Sequence, residues 1–507
     1  MITRSAKWFW VALCCYSVGL FFAILITPLL KPKFFFDGLI YASMSKNLSL
    51  GYGTVWRPFL SLSLLNPFFE HPPLALYFQS LLYKLLGQGL VVERLHVLIL
   101  ALGQFGLISF YWLKMQKRPA TSLGLLLLLW LLIPLNWVYI NNYLIGTLTL
   151  FTTLASLILL NRVQSKITLV SLYFLSSIII LIAFLSDGPM AFFPLAIPLI
   201  YRLIYCPKTV FTGILETGLF LAILSLVFFS FYWMVPEALH NTQQFLRQQV
   251  YSSLLGTRSH ETTGLKHLHL FYLYLKAYGI VSFFAFACLA IAAKLDNEPI
   301  FYSLKLKLKD KNFLVFLLLT LASSLPIALG GRQSFRYIMP SAPFFTLAMM
   351  FLCFQPFEKI INFYAKKPKR FKYQYLATHL SVLLLISAIS LNNFLPYYRS
   401  NIPDVIQDIR KITHYCENDS YCAANGIISF NNFEIFWVAS GYLARYSKVL
   451  MSLTTESDFP YFLGFQNEPL PKGYHLLKLP LSVFNFAIHD QPLDQAKTRV
   501  AHPIQSF

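Results

Sequence analysis

Residues 71–87 read "HPPLALYFQSLLYKLLG", and the side of a membrane on which every later loop falls depends on whether this segment crosses. It is about 17 residues long, is led by Pro72 and Pro73, and carries Gln79 and Lys84. A spanning helix needs about 20 predominantly apolar residues, so this piece is marginal for a crossing. It is read as an amphipathic helix lying along the outer membrane surface. A crossing here would place each later basic loop on the wrong side.

The rest of the chain makes a membrane the relevant solvent. Of 507 residues, 57% are hydrophobic and only 12% are charged, about half the charged share of a soluble globular domain. Such a chain cannot hide its apolar surface in water. The N-terminal run Trp8–Leu30 follows the basic start "MITRSAK". No small-residue cleavage site precedes its end, so it is read as an uncleaved first helix with its basic end in the cytoplasm. Further spans are expected near 94–113, 121–140, 143–160, 167–185, 189–205, 209–233, 271–293, 313–330, 337–354 and 376–395. The 189–205 run is short and broken by Pro194 and Pro198.

With 71–87 kept out of the bilayer, "KMQKR" (114–118), "NRVQSK" (161–166), "KLKLKDK" (305–311) and "KKPKRFK" (366–372) all fall on the cytoplasmic side. The net charge of +20 is thereby read as an orientation signal. No basic stripe interleaved with exposed aromatics appears, so nucleic acid is not an expected partner.

The expected architecture is an all-α polytopic membrane domain, residues 1–395, with about eleven transmembrane helices. It carries external loops at 31–93 and 234–270. A small soluble α/β domain follows at 396–507, with strand-like runs "GIISF" and "KVLMSL", also external. Cys416 and Cys422 fall in that external domain, where an oxidising compartment would let them pair. The other cysteines lie in or beside spans as small apolar fillers. No Cys/His spacing suggests a metal site.

Polar residues gather on the outer face. Asp37 opens the first external loop, and "FFEHPP" supplies Glu70 and His71. Arg94 heads the second span, "YINNY" gives Asn141 and Asn142, and "LSDGP" gives Asp187. The second loop adds Arg258, His260, Glu261, Lys266, His267 and His269, and "GRQSFRYIMP" adds Arg332, Arg336 and Tyr337. Ionisable groups at a membrane edge are costly to desolvate, so their clustering on one face favours a site. Each alone has a plainer reading. Arg94 and Lys84 snorkel to headgroups, the lone histidines cap helices, and Asp37 caps the helix that follows it.

The order of these pieces resembles the bacterial glycosyltransferases of the aminoarabinose transferase and protein mannosyltransferase type, which are membrane enzymes of the GT-C fold. The blocks that carry the resemblance are "DGLIYASMSKNLSLGYG", "FFEHPPLALYFQSLLYKLLG", "VVERLHVL", "SDGPMAFFP" and "GRQSFRYIMPSAPFF", spread over about residues 8–355. Across the first three of these blocks the acid, Tyr41, Gly51, His71-Pro72-Pro73, Gly87 and Arg94 stand in order.

The resemblance implies a sugar donor carried on a polyprenyl phosphate at the outer leaflet. It also implies a glycolipid or protein acceptor, and no cofactor is expected beyond the lipid-linked donor. The catalytic base of the family maps onto Asp37. It further implies a bacterial inner-membrane location with the site and C-terminus periplasmic. The chain shows neither a Gly-rich phosphate loop nor an Asp-x-Asp pair, as expected for an enzyme that needs no nucleotide sugar.

The chemistry suits the residues. A carboxylate takes the acceptor proton as the glycosidic bond forms, and the departing lipid phosphate needs cations and donors. Arg258, Lys266, His267, Arg332 and Arg336 are candidates for that cradle. Tyr41, Arg57, Glu70, His71, Arg94, Asn142, Asp187 and Tyr337 are further candidate substrate contacts.

The sequence departs from the family where Asp37-Gly38 stands for Asp-Glu, where "NNY" lacks an acid, and where Asp187-Gly188-Pro189 stands for Lys-Gly-Pro. The last replaces a cation with an anion. The competing readings are a transporter or flippase for lipid-linked sugars and a non-catalytic binder of them. A transporter wants polar groups leading to both faces, often with inverted repeats. Here the informative polar residues gather on one side, and no internal repeat is evident.

Overall fold

The computed structural model describes residues 4–26, 36–115, 119–138, 143–161, 168–255, 266–325, 334–366, 403–425, 427–430, 433–447, 449–453 and 459–490. The chain divides into two compact units. One comprises Met1–Lys33 with Arg94–Pro396, the other Phe34–Glu93 with Tyr397–Phe507.

The first unit is helical. Among the described residues, seven helices are long and apolar enough to cross a bilayer: Lys7–Leu25, Leu90–Lys114, Tyr143–Leu160, Leu169–Asp187, Pro207–Met234, His269–Leu295 and Phe335–Ala365. At 1.5 Å per residue, even the 18-residue Tyr143–Leu160 reaches about 27 Å. The protein is therefore a multi-pass membrane protein. Three more expected spans are present as shorter apolar helices, Ala120–Leu131, Pro189–Tyr205 and Lys311–Ser324. The expected span at 376–395 lies outside the described residues. In the proline-broken segment, Pro189–Ala196 winds as a 3-10 helix before α-helix resumes at Ile197–Tyr205. Each proline lacks the N–H that the α-ladder requires.

The Tyr143–Leu160 helix packs against the Leu169–Asp187 helix. Both bury small hydroxyl residues, among them Thr149, Thr152, Ser156, Ser176 and Ser177. In a bilayer, lipid tails are as apolar as leucine, so close backbone approach over small residues drives association. The Thr149, Thr152 and Ser156 hydroxyls each donate to the carbonyl four residues earlier, which satisfies them without water. Glu216, inside an otherwise apolar span, accepts from Arg202 at 2.5 Å and is accounted for as a paired structural charge.

In the second unit, the C-terminal residues build a five-stranded sheet of order β2-β1-β3-β5-β4. The strands are β1 (Ile427–Phe430), β2 (Leu450–Leu453), β3 (Tyr461–Phe465), β4 (Tyr474–Leu476) and β5 (Phe484–His489). β1 runs parallel to β2 and β3, and β5 pairs antiparallel with β3 and β4. A parallel neighbour needs a crossover. The Phe433–Tyr446 helix supplies it between β1 and β2. Tyr461 on β3 stacks on Phe486 of β5 with centroids 5.4 Å apart. Cys416 and Cys422 form a disulfide joining the Pro403–Asn418 and Ser420–Asn425 helices.

Residues 34–93, expected as a loop of the membrane domain, group instead with these C-terminal residues. The reason is polar as well as apolar. Ser43 on the Phe36–Ser49 helix donates to Gly441 O at 2.9 Å. Lys46 Nζ donates to the carbonyls of Ala444, Arg445 and Ser447 at 3.2, 3.0 and 2.6 Å. These carbonyls end the Phe433–Tyr446 helix, where a cation is favoured by unsatisfied acceptors and the helix dipole. Gly441 permits the approach, since a Cβ there would lie 3.0 Å from the Leu39 side chain. Leu62 N donates to Met451 O on β2, an edge strand, at 2.9 Å.

The buried Glu93 accepts from Arg445 Nε at 2.5 Å and from the Tyr83 hydroxyl at 2.6 Å. The Leu74–Leu86 helix has 13 residues, about 20 Å, too short for a bilayer core of about 30 Å. It turns Gln79 and Tyr83 inward and leaves Leu81, Leu85 and Leu86 exposed.

Candidate active site

In the second unit, Asp37 sits in the first turn of the Phe36–Ser49 helix and is half-buried. The positive end of a helix favours a negative charge, so the helix start itself supplies a setting for a carboxylate. Tyr41 follows four residues later, hence on the same face, and is buried. Its ring meets His71 edge-on with centroids 5.9 Å apart and Phe68 at 6.2 Å. Glu70 and His71 are half-buried on the bend before the Leu74–Leu86 helix. Pro72 and Pro73 are buried, and their fixed φ sets the direction in which the chain leaves His71.

Arg57 is placed by the glycines before it. Gly53 has φ +78°, and a Cβ there would come within 2.7 Å of Arg57 O. That backbone conformation is open to glycine, and it allows the turn in which Arg57 N donates to Thr54 O at 3.1 Å. Asp37 and Tyr41 thus share one helix face, and the Tyr41 ring packs against the His71 imidazole.

In the first unit, Arg94 is buried in the Leu90–Phe110 helix. Asp187 is buried as the last residue of the Leu169–Asp187 helix. A carboxylate at the negative end of a helix opposes the dipole, so helix termination does not explain an acid there. Gly188 explains the stop instead. Its φ is +100°, and a Cβ would meet the Phe245 ring at 2.7 Å. Arg336 and Tyr337 lie on the 3-10 segment Phe335–Ser341, with the guanidinium 5.3 Å from the Tyr337 ring centroid.

Two polar residues of this unit are absent from the expected set. Lys276, in the span His269–Leu295, lies 5.1 Å from the ring centroid of Phe335, the residue before Arg336. Two residues on, the Tyr278 hydroxyl pairs with that of Ser341. The sequence signal for Lys276 is a lone charge inside the apolar run expected at 271–293, which is costly unless used. His96 is buried with its ring 5.0 Å from that of Tyr143. Its signal, one histidine beside an apolar face, is indistinguishable from core packing.

Asn142, Arg258 and Arg332 lie outside the described residues, as do the side chains of Lys266 and His267 at the start of the Lys266–Leu295 helix. Among the described residues no group of three or more His, Cys, Asp and Glu side chains is placed to hold a metal ion.

No protein-family model matches the chain, and no curated protein matches it. Among solved structures, ArnT from Cupriavidus metallidurans bound to undecaprenyl phosphate is similar at a TM-score of 0.55 and 13% identity, over 94% of this chain and 97% of that one. The apo state of the same protein gives 0.52 and 14%, over 88% and 86%. At this identity the likeness is one of fold. The GT-C architecture expected from the sequence is the fold of the chain.

Proposed function

We propose that this protein is a membrane glycosyltransferase that moves a sugar from a polyprenyl-phosphate carrier to a lipid-linked or protein acceptor, with Asp37 as general base. The acceptor oxygen or nitrogen bonds to the anomeric carbon of the sugar while Asp37 takes its proton. The bond from that carbon to the phosphate oxygen breaks, and its electron pair leaves with the polyprenyl phosphate. Cationic groups hold that phosphate. Arg336 and Lys276 are the candidates among the described side chains, beside Arg258, Lys266, His267 and Arg332. In this reading the reaction faces the periplasm across a bacterial inner membrane, and the apolar helices flank the lipid tail.

The observation that carries the proposal is the setting of Asp37. It stands at a helix start, one turn from a buried tyrosine packed on His71, in a fold also seen bound to undecaprenyl phosphate. The test is reconstitution of the protein in liposomes with an undecaprenyl-phosphate-linked sugar and an envelope extract, read by mass spectrometry of the products. A new sugar adduct is expected. Movement of the carrier across the bilayer without any new glycosidic bond would establish the flippase reading in its place.

Lys276 gives a quantitative check. Its ammonium lies beside Phe335, the residue before Arg336, and a cation within a span is a default candidate for a functional role. Lys276→Met is expected to weaken undecaprenyl phosphate binding by about tenfold, the loss of one charge-assisted hydrogen bond, while Lys276→Arg retains most of it. Titration of the purified protein with undecaprenyl phosphate, followed by intrinsic fluorescence, measures both. Equal affinity in Lys276→Met and the unaltered protein removes Lys276 from the cradle.

A further inference from the structure

The C-terminal part of the second unit carries a cavity of about 440 Å³ that the transfer chemistry above does not use. Its volume falls within the range of about 300–1,000 Å³ typical of small-molecule sites. Lys411, His414, Tyr415, Asn418 and Asp419 line one side, and Pro480 and its neighbour line the other. Positions 411, 414, 415 and 418 follow the spacing of one helix face. The helix buries Ile409, Ile412 and Cys416 on its other side, and this partly exposed face offers the cavity one aromatic ring and three polar side chains.

The wall retains hydrogen-bonding capacity. Asn418 Nδ2 donates to His414 O at 2.9 Å and lies 3.2 and 3.3 Å from the His414 ring nitrogens, and the amide oxygen faces the cavity as an acceptor. Asp419 Oδ1 accepts from Cys422 N at 2.7 Å and from the Tyr461 hydroxyl at 3.4 Å, and among the described residues Oδ2 accepts from the Tyr415 hydroxyl at 3.4 Å. Lys411 Nζ donates to Pro480 O and so ties the two sides together. The Cys416–Cys422 disulfide spans the turn that bears Asn418 and Asp419, so this wall is fixed before any ligand arrives.

An apolar ring beside adjacent amide and carboxylate groups is the chemistry that recognises a sugar. The C–H face of a pyranose lies on the aromatic ring, and its neighbouring hydroxyls need one donor and one acceptor side by side. A phosphate would be repelled by Asp419. A peptide strand would look for free backbone groups, which a helix face does not offer.

We propose that this cavity is a carbohydrate subsite that holds one or two sugar rings of a glycan-bearing acceptor. The word acceptor rests on the transferase reading, and the sugar recognition does not.

The test uses the full-length protein in detergent micelles and saturation-transfer NMR with maltose, lactose and N,N′-diacetylchitobiose. Saturation of at least one disaccharide is expected. Asn418→Ala and His414→Ala, both at exposed positions, are each expected to weaken it by about tenfold, the worth of one to two hydrogen bonds. The same variants should raise KM for a glycan acceptor and leave kcat and undecaprenyl phosphate affinity unchanged. No saturation of any of the three, or saturation unaltered in both variants, overturns the proposal. Disaccharide binding without any sugar transfer would discard the transferase reading and keep the subsite. Transfer without disaccharide binding would discard the subsite alone.

Discussion

Asp37→Asn is expected to lower sugar transfer by about 10²–10⁴-fold, the usual contribution of a positioned general base. The substitution keeps nearly the same size and keeps a polar group in the first turn of the Phe36–Ser49 helix. The amide no longer accepts a proton at neutral pH. Membrane insertion and undecaprenyl phosphate affinity should therefore survive, because the variant removes only the proton's destination. Single-turnover transfer measured at saturating donor separates the two effects. A rate within about threefold of the unaltered protein, far short of what loss of a general base produces, would reassign Asp37 to helix capping.

The second large effect concerns stability. Arg445 and Glu93 are each only 2% exposed and are paired at 2.5 Å. Breaking a buried pair by removing one partner costs about 3–5 kcal/mol, since the other charge is left without compensation. Arg445→Met is expected to destabilise the protein by about that much, read as a large drop in its thermal unfolding midpoint. Removing both charges, with Glu93→Gln added, should restore part of the loss, and the non-additivity of the cycle measures the coupling. A single-variant loss below about 1 kcal/mol would show the pair to be no stronger than a surface salt bridge.

Burial by itself lowers the guanidinium pKa. Attraction to Glu93 and Tyr83 outweighs it, and the net shift is upward. The guanidinium thus stays charged throughout the pH range in which a protein is ordinarily handled. Burial and Asp419 likewise hold the Tyr415 and Tyr461 hydroxyls above the ordinary range, so both remain donors toward Asp419 at neutral pH.

The spans were legible because hydropathy over 20 residues is a local property. Asp37 was legible for a similar reason, since it lies next to its own helix. Tyr41 and His71 were singled out by their order in the chain, but their contact depends on the bend through Pro72 and Pro73. Lys46 and Glu93 do not stand out in the sequence, because their partners stand 398 to 401 and 352 residues away. Nothing within a helix turn of either one announces the match. The sheet order was hidden for the same reason, because strand pairing is set by register across the chain. Lys276 was within reach, since a lone ammonium in an apolar run is itself the signal.

The pairing of Glu93 with Arg445 across 352 positions also sets a timetable for biosynthesis. At about 5–20 residues per second, the ribosome takes on the order of 20–70 s to deliver the guanidinium after the carboxylate. The nascent chain inserts most of its helices during that interval, while the segment bearing Asp37 waits for its scaffold. A prematurely terminated product would keep the bilayer anchor yet expose an unmatched carboxylate and ammonium, so the helix that bears the proposed base is tied to its C-terminal partner only once translation is nearly complete.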